Sequence, residues 1–494
     1  MRLGRPASLR LATLRRALRA PLALAAALGL ALAGCAAIDP PPAPSAVAPP
    51  AAARPAANPY AAERKRLISA FGGEYHAPAT EAFLNGVLAR LAPAPDASAH
   101  RVTLLNSPVV NAFALPSGDI FMTRGLLALA SDTSEIAAVM AHEIAHVTAR
   151  HAAQRAEFEK TAALFTRVNA QVLDQAQPPE EAEARSKLSI ARFSRQQELE
   201  ADQLGIRDVA RAGYDPYGAA RFLTALGRWS ALRAAISGAG NADRPDMMAT
   251  HPSTPDRVAQ AAAEARKFGP PNSAPAGRDA YLAAIDGVAF GDDPSQGVVR
   301  GTVFVHPKLG FAFEAPEGFT LENQPAALVG VGESGSQALR LDSMAVPDST
   351  PVATVIASGW IDGVKTASVE TMQVGGLEAA TAVAEGDQWS FRLGAIRLNG
   401  RVYRLIFAAH TLSPAVDARF RASLESFRLI NAPDSALAEP QFLRVVSASG
   451  DDTPEGMAAR MSFLPSPLDQ FLILNGLERG ASLTPGRRYK VVAK

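Results

Sequence analysis

Cysteine is almost absent from this chain, since Cys35 is the single cysteine among 494 residues. No internal disulfide can form, so stability must come from hydrophobic cores or from a bound metal. A strong net charge is also missing. The six arginines of the first 34 residues account for the formal charge of +1, and the rest of the chain holds 43 basic against 48 acidic residues, a net charge of −5. This balance argues against nucleic acid as a partner, because nucleic-acid binding needs a basic face.

The first 34 residues are predicted to be a secretory signal peptide. An arginine-rich start is followed by the apolar run PLALAAALGLALAG, which is too short for a comfortable membrane span. The tripeptide LAG before Cys35 resembles the bacterial lipobox, which implies that Cys35 becomes the lipidated first residue of the mature protein. Ala36 follows instead of aspartate, so the resemblance also implies a lipid-anchored protein of the bacterial cell envelope, at the outer membrane and facing the periplasm. Residues 35–59 are a proline- and alanine-rich tether.

The folded part of the chain is predicted to be α+β. Residues 60–267 are mostly helical, with a β-hairpin predicted at the Pro-Ser-Gly turn of NAFALPSGDIF. Residues 268–299, which include GPPNSAPAG, are predicted to be a linker. Strand patterns dominate residues 300–432, where Asn-Gly in RLNGRVY marks a hairpin, so an α+β accessory domain is expected there. Residues 442–494 are expected to form a small C-terminal module, and no repeat of 20 to 50 residues is present in the sequence.

A metal site is predicted in VMAHEIAHVTARH, where His142, Glu143 and His146 form the pattern H-E-x-x-H. Positions i and i+4 lie on one face of a helix, so the two histidines can bind one cation. Glu143 is about 100° round the helix from His142, where it can take a proton from a water that the metal polarises. The alternative is a pair of structural histidines, but a buried ionisable cluster needs a partner. Helix geometry puts His151 on the opposite face, as a surface or capping residue.

A third ligand is expected, because a catalytic zinc has three protein ligands and one open position. The later helix SRQQELEADQLG carries Glu198 and Asp202 on one face, with Glu200 pointing away. Glu198 fits as a ligand, and Asp202 fits as the acceptor for the free N–H of a ligating histidine. The same pattern also fits a solvated acidic helix face.

Four motifs in order resemble the zinc metalloprotease family that includes HtpX, the CAAX prenyl protease, BepA and LoiP. They are NAFALPSGDIFMTRGLL, AAVMAHEIAHVTARH, SRQQELEADQLG and THPSTPDR. The resemblance covers about residues 60–265 and implies a zincin-like protease domain of the gluzincin type. It implies one zinc ion per chain, with His142, His146 and Glu198 as ligands and Glu143 as the general base.

The same resemblance assigns further residues to the site. It implies that a strand pairs with an extended substrate, and the residues of this strand are Asn111, Ala112, Phe113 and Ala114. His251 is implied to lie near the active site, where it can hold the enzyme latent, and Arg257 is implied to face the cleft. Both residues also fit roles in a loop and a helix cap.

The two regions after the protease domain carry weaker resemblances. Residues 442–494 resemble a diverged LysM module in the segments SGDD, LILNGL and LTPGRRYKVV, which implies binding to peptidoglycan. A plain β-α-α-β packing domain is the alternative. Residues 300–432 distantly resemble the PsbP-like or Mog-like α/β fold, which implies a partner-binding or packing role.

Together these features predict a zinc-dependent endopeptidase of the cell envelope. It would degrade misfolded or misassembled periplasmic and outer-membrane proteins by attack of a metal-activated water on peptide bonds. Its expected partners are unfolded envelope proteins, the membrane through Cys35, and peptidoglycan through the C-terminal module. The alternative is a latent or inactive protease-fold scaffold or chaperone, tethered to the outer membrane and to peptidoglycan.

Overall fold

The computed structural model describes residues 60–92, 100–155, 157, 194–237, 247–332, 335–358 and 360–494. The predicted signal peptide, Cys35 and the tether occupy residues 1–59 and lie outside the described residues. Within the described ranges, no helix combines the length and the apolar composition that crossing a membrane requires.

Helices dominate the first part of the described chain and strands the second. The helices are α1 (Ala61–Ala70), α2 (Pro78–Leu91), α3 (Arg124–Leu129), α4 (Thr133–Thr148), α5 (Arg195–Arg211), α6 (Gly218–Ser237), α7 (Met247–Thr250), α8 (Pro255–Ala265), α9 (Arg278–Ile285), α10 (Val352–Ala357), α11 (Pro414–Glu425), α12 (Ala432–Leu437), α13 (Pro454–Ala459) and α14 (Pro467–Leu474). The strands are β1 (Arg101–Leu105), β2 (Ala112–Ala114), β3 (Asp119–Thr123), β4 (Ala289–Phe290), β5 (Val298–Arg300), β6 (Val303–His306), β7 (Phe311–Glu314), β8 (Thr320–Gln324), β9 (Ala327–Val331), β10 (Gln337–Ala345), β11 (Glu370–Val374), β12 (Leu377–Glu385), β13 (Ser390–Leu398), β14 (Arg401–Ala409), β15 (Arg428–Leu429), β16 (Gln441–Ser447) and β17 (Arg488–Ala493).

A small three-stranded sheet lies beside the H-E-x-x-H helix, with the strand order β1-β3-β2. Strand β1 is parallel to β3, whereas β2 and β3 are antiparallel and form the predicted hairpin. The Pro-Ser-Gly turn closes this hairpin, with Gly118 at φ 86°. Strand β2 is therefore an edge strand among the described residues.

Helix α4 carries H-E-x-x-H and is buried over most of its length, including every residue from 133 to 143. Asp132 is its N-cap, because its carboxylate accepts a hydrogen bond from Glu135 N at 2.9 Å. In return, the Glu135 carboxylate accepts from Ser131 N at 2.8 Å. These reciprocal bonds satisfy backbone donors at the buried start of the helix.

Helix α5 packs directly on α4. It begins with a capping box, in which Ser194 and Gln197 each bond the backbone of the other. Gly205 allows the close approach, since a Cβ atom there would lie 3.0 Å from His142 N. This contact brings the acidic face of α5 against the histidine face of α4.

The predicted accessory domain has an antiparallel seven-stranded sheet with the order β11-β12-β13-β14-β10-β9-β8. A four-stranded sheet, β15-β7-β6-β5, accompanies it. The predicted hairpin at Asn399 and Gly400 is confirmed, since β13 and β14 pair across this turn and both residues have positive φ. Phe313, Phe407 and Phe420 are fully buried in the core of this domain. The α+β class predicted for the chain is thereby confirmed.

The boundary predicted for a linker at residues 268–299 needs correction. GPPNSAPAG is followed at once by α9, which buries Tyr281, Leu282 and Ile285. Further on, β4 pairs with β16 of the C-terminal region. Proline and glycine did mark a turn there, but they did not mark the end of the folded domain.

The C-terminal residues have the element order β16-α13-α14-β17, with β16 and β17 antiparallel. This order fits both sequence interpretations, a LysM-like module and a plain β-α-α-β packing domain. The LysM resemblance therefore stays a prediction.

The C-terminal region shares one hydrophobic core with the predicted protease domain. Phe471, Tyr489 and Val492 belong to the same buried cluster as Leu127 and Met140. A buried polar contact reinforces this core. Lys490 Nζ donates to the carbonyl of Ala128 at 2.7 Å and also to that of Ala130, so the ammonium binds the last carbonyls of α3.

Candidate metal centre

Four buried side chains converge where α4 and α5 meet. They are His142 and His146 of α4, Glu198 of α5 and His251, which follows α7. Each offers one ligand atom, and these four atoms lie within 4.8 Å of one another. His142 Nε2 is 3.0 Å from His146 Nε2, and Glu198 Oε1 is 3.5 Å from His146 Nε2. Nitrogen and carboxylate oxygen atoms of this kind are the ligands that zinc prefers.

Asp202 orients the first histidine. Its Oδ1 lies 3.0 Å from His142 Nδ1, one helical turn after Glu198 on the same face of α5. Burial acts to raise the pKa of Asp202, but hydrogen bonds from His142 and Arg257 hold it below its ordinary value. The ionised carboxylate accepts the proton of Nδ1, so His142 presents the lone pair of Nε2 to the centre.

Arg257 holds both carboxylates of α5. Its Nε and Nη2 donate to Asp202 at 2.8 Å each, and its Nη1 is 2.7 Å from Glu198 Oε2. Nη1 also donates to the carbonyl of Pro252, beside His251. Arg257 stands in the first turn of α8, behind the ligand atoms. The sequence left open whether Arg257 faces the cleft or belongs to a loop or helix cap, and the structure brings its side chain to the metal centre.

The charge balance of the site fits a cation. Three buried carboxylates, those of Glu143, Glu198 and Asp202, surround the histidines, and the guanidinium of Arg257 balances one of them. Burial acts to lower the pKa of His142, but bonds and charges from Asp202 and Glu198 raise it to about 10. Without a metal this position therefore attracts a proton, which a divalent cation would replace.

The second histidine is held neutral. Burial lowers the pKa of His146, and the neighbouring His142 and His251 lower it further. A neutral imidazole is the form that binds a metal. The donor set therefore fits zinc in both charge and ligand type.

Glu143 lies between the histidines and the edge strand. Its Oε1 is 3.7 Å from His251 Nε2 and has no hydrogen-bond partner among the described residues. The carboxylate also accepts a hydrogen bond from Ala114 N. Burial raises the pKa of Glu143, although nearby imidazoles act against this rise. A raised carboxyl pKa suits a group that takes and returns a proton near neutral pH.

The edge strand turns alternate backbone groups toward the site. Asn111 O accepts from Thr123 N, and Leu115 N donates to Asp119 O, so odd-numbered residues pair with β3. The even-numbered residues point the other way, where Val110 O accepts from Met247 N at 3.0 Å. The backbone N–H and C=O of Ala112 lie between this bond and the Ala114–Glu143 bond, on the edge that faces the site.

His251 lies within the centre. Its Nδ1 is 2.9 Å from Glu198 Oε1 and 3.2 Å from His142 Nε2. The sequence left open whether this histidine was a loop residue or a site residue. The fold brings it to the ligand atoms on the turn between α7 and α8.

His151 was predicted wrongly as a surface or capping residue. It is fully buried, and its Nδ1 is 3.0 Å from His146 Nδ1. The prediction extended a regular helix to residue 151, whereas α4 ends at Thr148 and Arg150 adopts φ 57°. This turn brings His151 back behind His146, and its Nε2 lies 3.4 Å from Glu200, the acidic residue that faces away from the ligands. A left-handed arginine has no sequence signal.

Two histidines on one helix with a glutamate between them, and a glutamate from a second helix, define a metallopeptidase site of the gluzincin type. Residues 78–265 match the family described as peptidase family M48.

Several relatives share this region. The beta-barrel assembly-enhancing protease of Escherichia coli strain K12 is 32% identical over 177 residues, which are 34% of this chain and 34% of that protein. The mitochondrial metalloendopeptidase OMA1 of Arabidopsis thaliana is 36% identical over 153 residues, which are 31% of this chain and 29% of that protein. The chain thus spans about a third of the length of these curated relatives. Among solved structures, the cyanobacterial PsbP of Synechocystis aligns with 27% of this chain over 94% of the PsbP chain. The sequence identity is 15% and the TM-score is 0.21.

Proposed function

We propose that the chain is a zinc-dependent endopeptidase of the bacterial cell envelope that degrades misfolded or misassembled periplasmic and outer-membrane proteins. One observation carries this proposal. The converging ligand atoms lie beside the carboxylate of Glu143, which accepts a hydrogen bond from Ala114 N of the edge strand. The name of the Escherichia coli relative, a beta-barrel assembly-enhancing protease, supports the envelope as the place of action.

His142, His146 and Glu198 would hold the zinc ion, which would supply a Lewis acid to the scissile carbonyl. An extended substrate would pair with the N–H and C=O of Ala112, as an added strand on the edge of β2. Pairing through backbone atoms suits an enzyme that accepts many unfolded sequences. Glu143 Oε1 would accept a proton from the attacking water and return it to the leaving amine.

Zinc content and proteolysis test this proposal together. The purified mature chain should contain about one zinc per molecule by elemental analysis and should cleave an unfolded model protein. Glu143→Gln should keep the zinc and lose cleavage by about a hundredfold or more. Glu63→Gln, the same change on the exposed helix α1, is the matched control and should leave both unchanged. A folded chain without bound zinc would contradict the assignment.

We further propose that His251 keeps the site latent. Its Nδ1 lies against Glu198 Oε1 and His142 Nε2, where a substrate carbonyl must enter. His251→Ala should therefore raise the cleavage rate while zinc stays bound, and His410→Ala, at an exposed residue just after β14, should not. A lower rate for His251→Ala would indicate a catalytic role instead. Complete inactivity in every variant would favour the alternative function, a protease-fold scaffold or chaperone.

Envelope anchoring is a separate part of the proposal. Cys35 would carry the lipid that holds the chain at the outer membrane, and the C-terminal β-α-α-β region would bind peptidoglycan as a LysM-like module. Cys35→Ala should release the chain from the membrane fraction. Sedimentation of the mature chain with insoluble peptidoglycan tests the second contact, and a chain that stays in the supernatant would contradict it. Trapping cellular proteins on Glu143→Gln would identify the substrates.

A further inference from the structure

A large cleft lies apart from the metal centre, and we call it the accessory cleft. Its volume is about 800 Å³, within the range of cavities that hold ligands. Its walls come from three regions of the chain. The protease domain supplies Val110 and Trp229, the accessory domain supplies Phe319, and the C-terminal region supplies Leu464. A cavity that needs all three regions gives a reason for their fusion in one chain.

One face of helix α6 forms a wall of this cleft. Trp229, Leu232, Arg233 and Ile236 all line it. Their spacing of three, four and seven residues places them on the same side of a helix. Ile236 is 41% exposed, so the apolar wall continues to the mouth of the cleft. An exposed large aliphatic side chain in a cavity suits an apolar ligand.

The accessory cleft adjoins the strand edge at the metal centre. Pro108, Val109 and Val110 line it, and the same segment leads directly into β2. Met247 lines both the cleft and the small hollow beside His142. Because Met247 N donates to Val110 O, the edge that is open to pairing ends at Ala112, and the cleft begins beside Val110, on the other side of Met247.

The chemistry of the lining indicates what would bind. Aromatic and aliphatic side chains dominate, and the charged groups include both signs, with Arg233 and Arg300 against Asp292 and Glu322. Such a balance does not select a strongly charged ligand. Aliphatic and aromatic side chains that a folded protein keeps in its core become available in an unfolded polypeptide.

We propose that the accessory cleft is a second substrate-binding site, which holds an apolar segment of an unfolded polypeptide while another segment lies on the edge of β2. This inference rests on the proposed function, because it needs a polypeptide substrate. It adds a basis for choosing unfolded chains, since a folded protein cannot offer an apolar segment and an extended strand together.

Binding to an inactive chain tests the proposal without requiring cleavage. In the Glu143→Gln background, the affinity for a fluorescent, permanently unfolded polypeptide is measured by anisotropy. Adding Ile236→Asp should weaken binding about tenfold, because the charge would face the apolar segment. Met344→Asp is the matched control, since Met344 is 37% exposed on β10 and does not line the cleft. It should leave the affinity unchanged.

A fluorophore locates the bound segment independently. With Cys35→Ser, the sequence has no other cysteine, so Ile236→Cys or Met344→Cys can be labelled singly with an environment-sensitive dye. The polypeptide should shift the emission of the dye at 236 and leave that at 344 unchanged. Equal affinity for Ile236→Asp and its parent, equal losses in both aspartate variants, or no binding by the parent would overturn the proposal. If the unmodified zinc-loaded chain binds the polypeptide but never cleaves it, the proposed function fails while the cleft assignment stands.

Discussion

Replacing Gly205 by alanine tests whether backbone contact between α4 and α5 sets the geometry of the metal centre. An added Cβ would lie 3.0 Å from His142 N, 3.2 Å from Ala141 C and 3.3 Å from His142 Cα. All three are backbone atoms of a buried helix, which cannot swing aside as a side chain can. Alanine favours the helix by about 0.5–1 kcal/mol, but overpacking costs about 1–3 kcal/mol. We expect a net loss of about 1–2 kcal/mol in the free energy of unfolding.

Gly86 offers a matched control within the same domain. It lies inside α2, and no atom lies within 4 Å of its added Cβ. Gly86→Ala should therefore stabilise the chain by about 0.5–1 kcal/mol, through helix propensity alone. Urea unfolding followed by circular dichroism measures both variants, and zinc affinity should fall only in Gly205→Ala. If the two variants gain the same stability, the α4–α5 contact is not tight, and the argument for backbone positioning of Glu198 is refuted.

Three further predictions follow from other contacts. Arg257→Met should lower the free energy of unfolding by about 3 kcal/mol, because it leaves the buried carboxylates of Glu198 and Asp202 without their cation. Urea unfolding measures this loss, and unchanged stability would contradict the prediction. Burial lowers the pKa of His306 to about 4, so the unfolded state binds the proton more readily. The free energy of unfolding should therefore fall by about 1–2 kcal/mol as the pH drops from about 6.5 to about 4, after allowance for the partial exposure of His306. The variant His306→Gln should not show this loss. Identical pH profiles for the two chains would argue against a lowered pKa of His306. A chain that ends at residue 440 should lack cooperative unfolding in its protease domain, because the truncation removes Tyr489 and Val492 from the shared core. A sharp thermal transition from that chain would contradict this prediction.

The residues of the metal centre that could be predicted are those tied by short spacings. His142, Glu143 and His146 lie within one helical turn, and Glu198 and Asp202 within another, so helix periodicity groups each set. The structure brings both sets together, which local spacing alone could not predict. Their meeting depends on which faces of α4 and α5 pack, and the close approach at Gly205 is a tertiary contact.

The errors have physical causes of the same kind. His151 was misplaced because Arg150 interrupts the helix with a positive φ, which an arginine does not announce. The linker at 268–299 was overestimated because GPPNSAPAG marks a turn, while the burial of α9 depends on partners far away in the chain. Arg257 was expected at the cleft only through the family resemblance, because its bonds to Asp202 join residues 55 apart and no local pattern spans that separation. The α+β class and the hairpins were predictable because their signals are local.

The bond from Lys490 to Ala128 joins residues 362 positions apart and has a consequence for biosynthesis. Translation delivers helix α4 long before strand β17, which completes its surroundings. A nascent chain that has emerged only through α8 already contains the four clustered residues of the candidate metal centre but lacks Lys490 and the apolar side chains that close the core behind α3. Contacts of such long range also form slowly. The order of synthesis therefore means that the core behind α3 cannot close until Lys490 and its neighbours have left the ribosome.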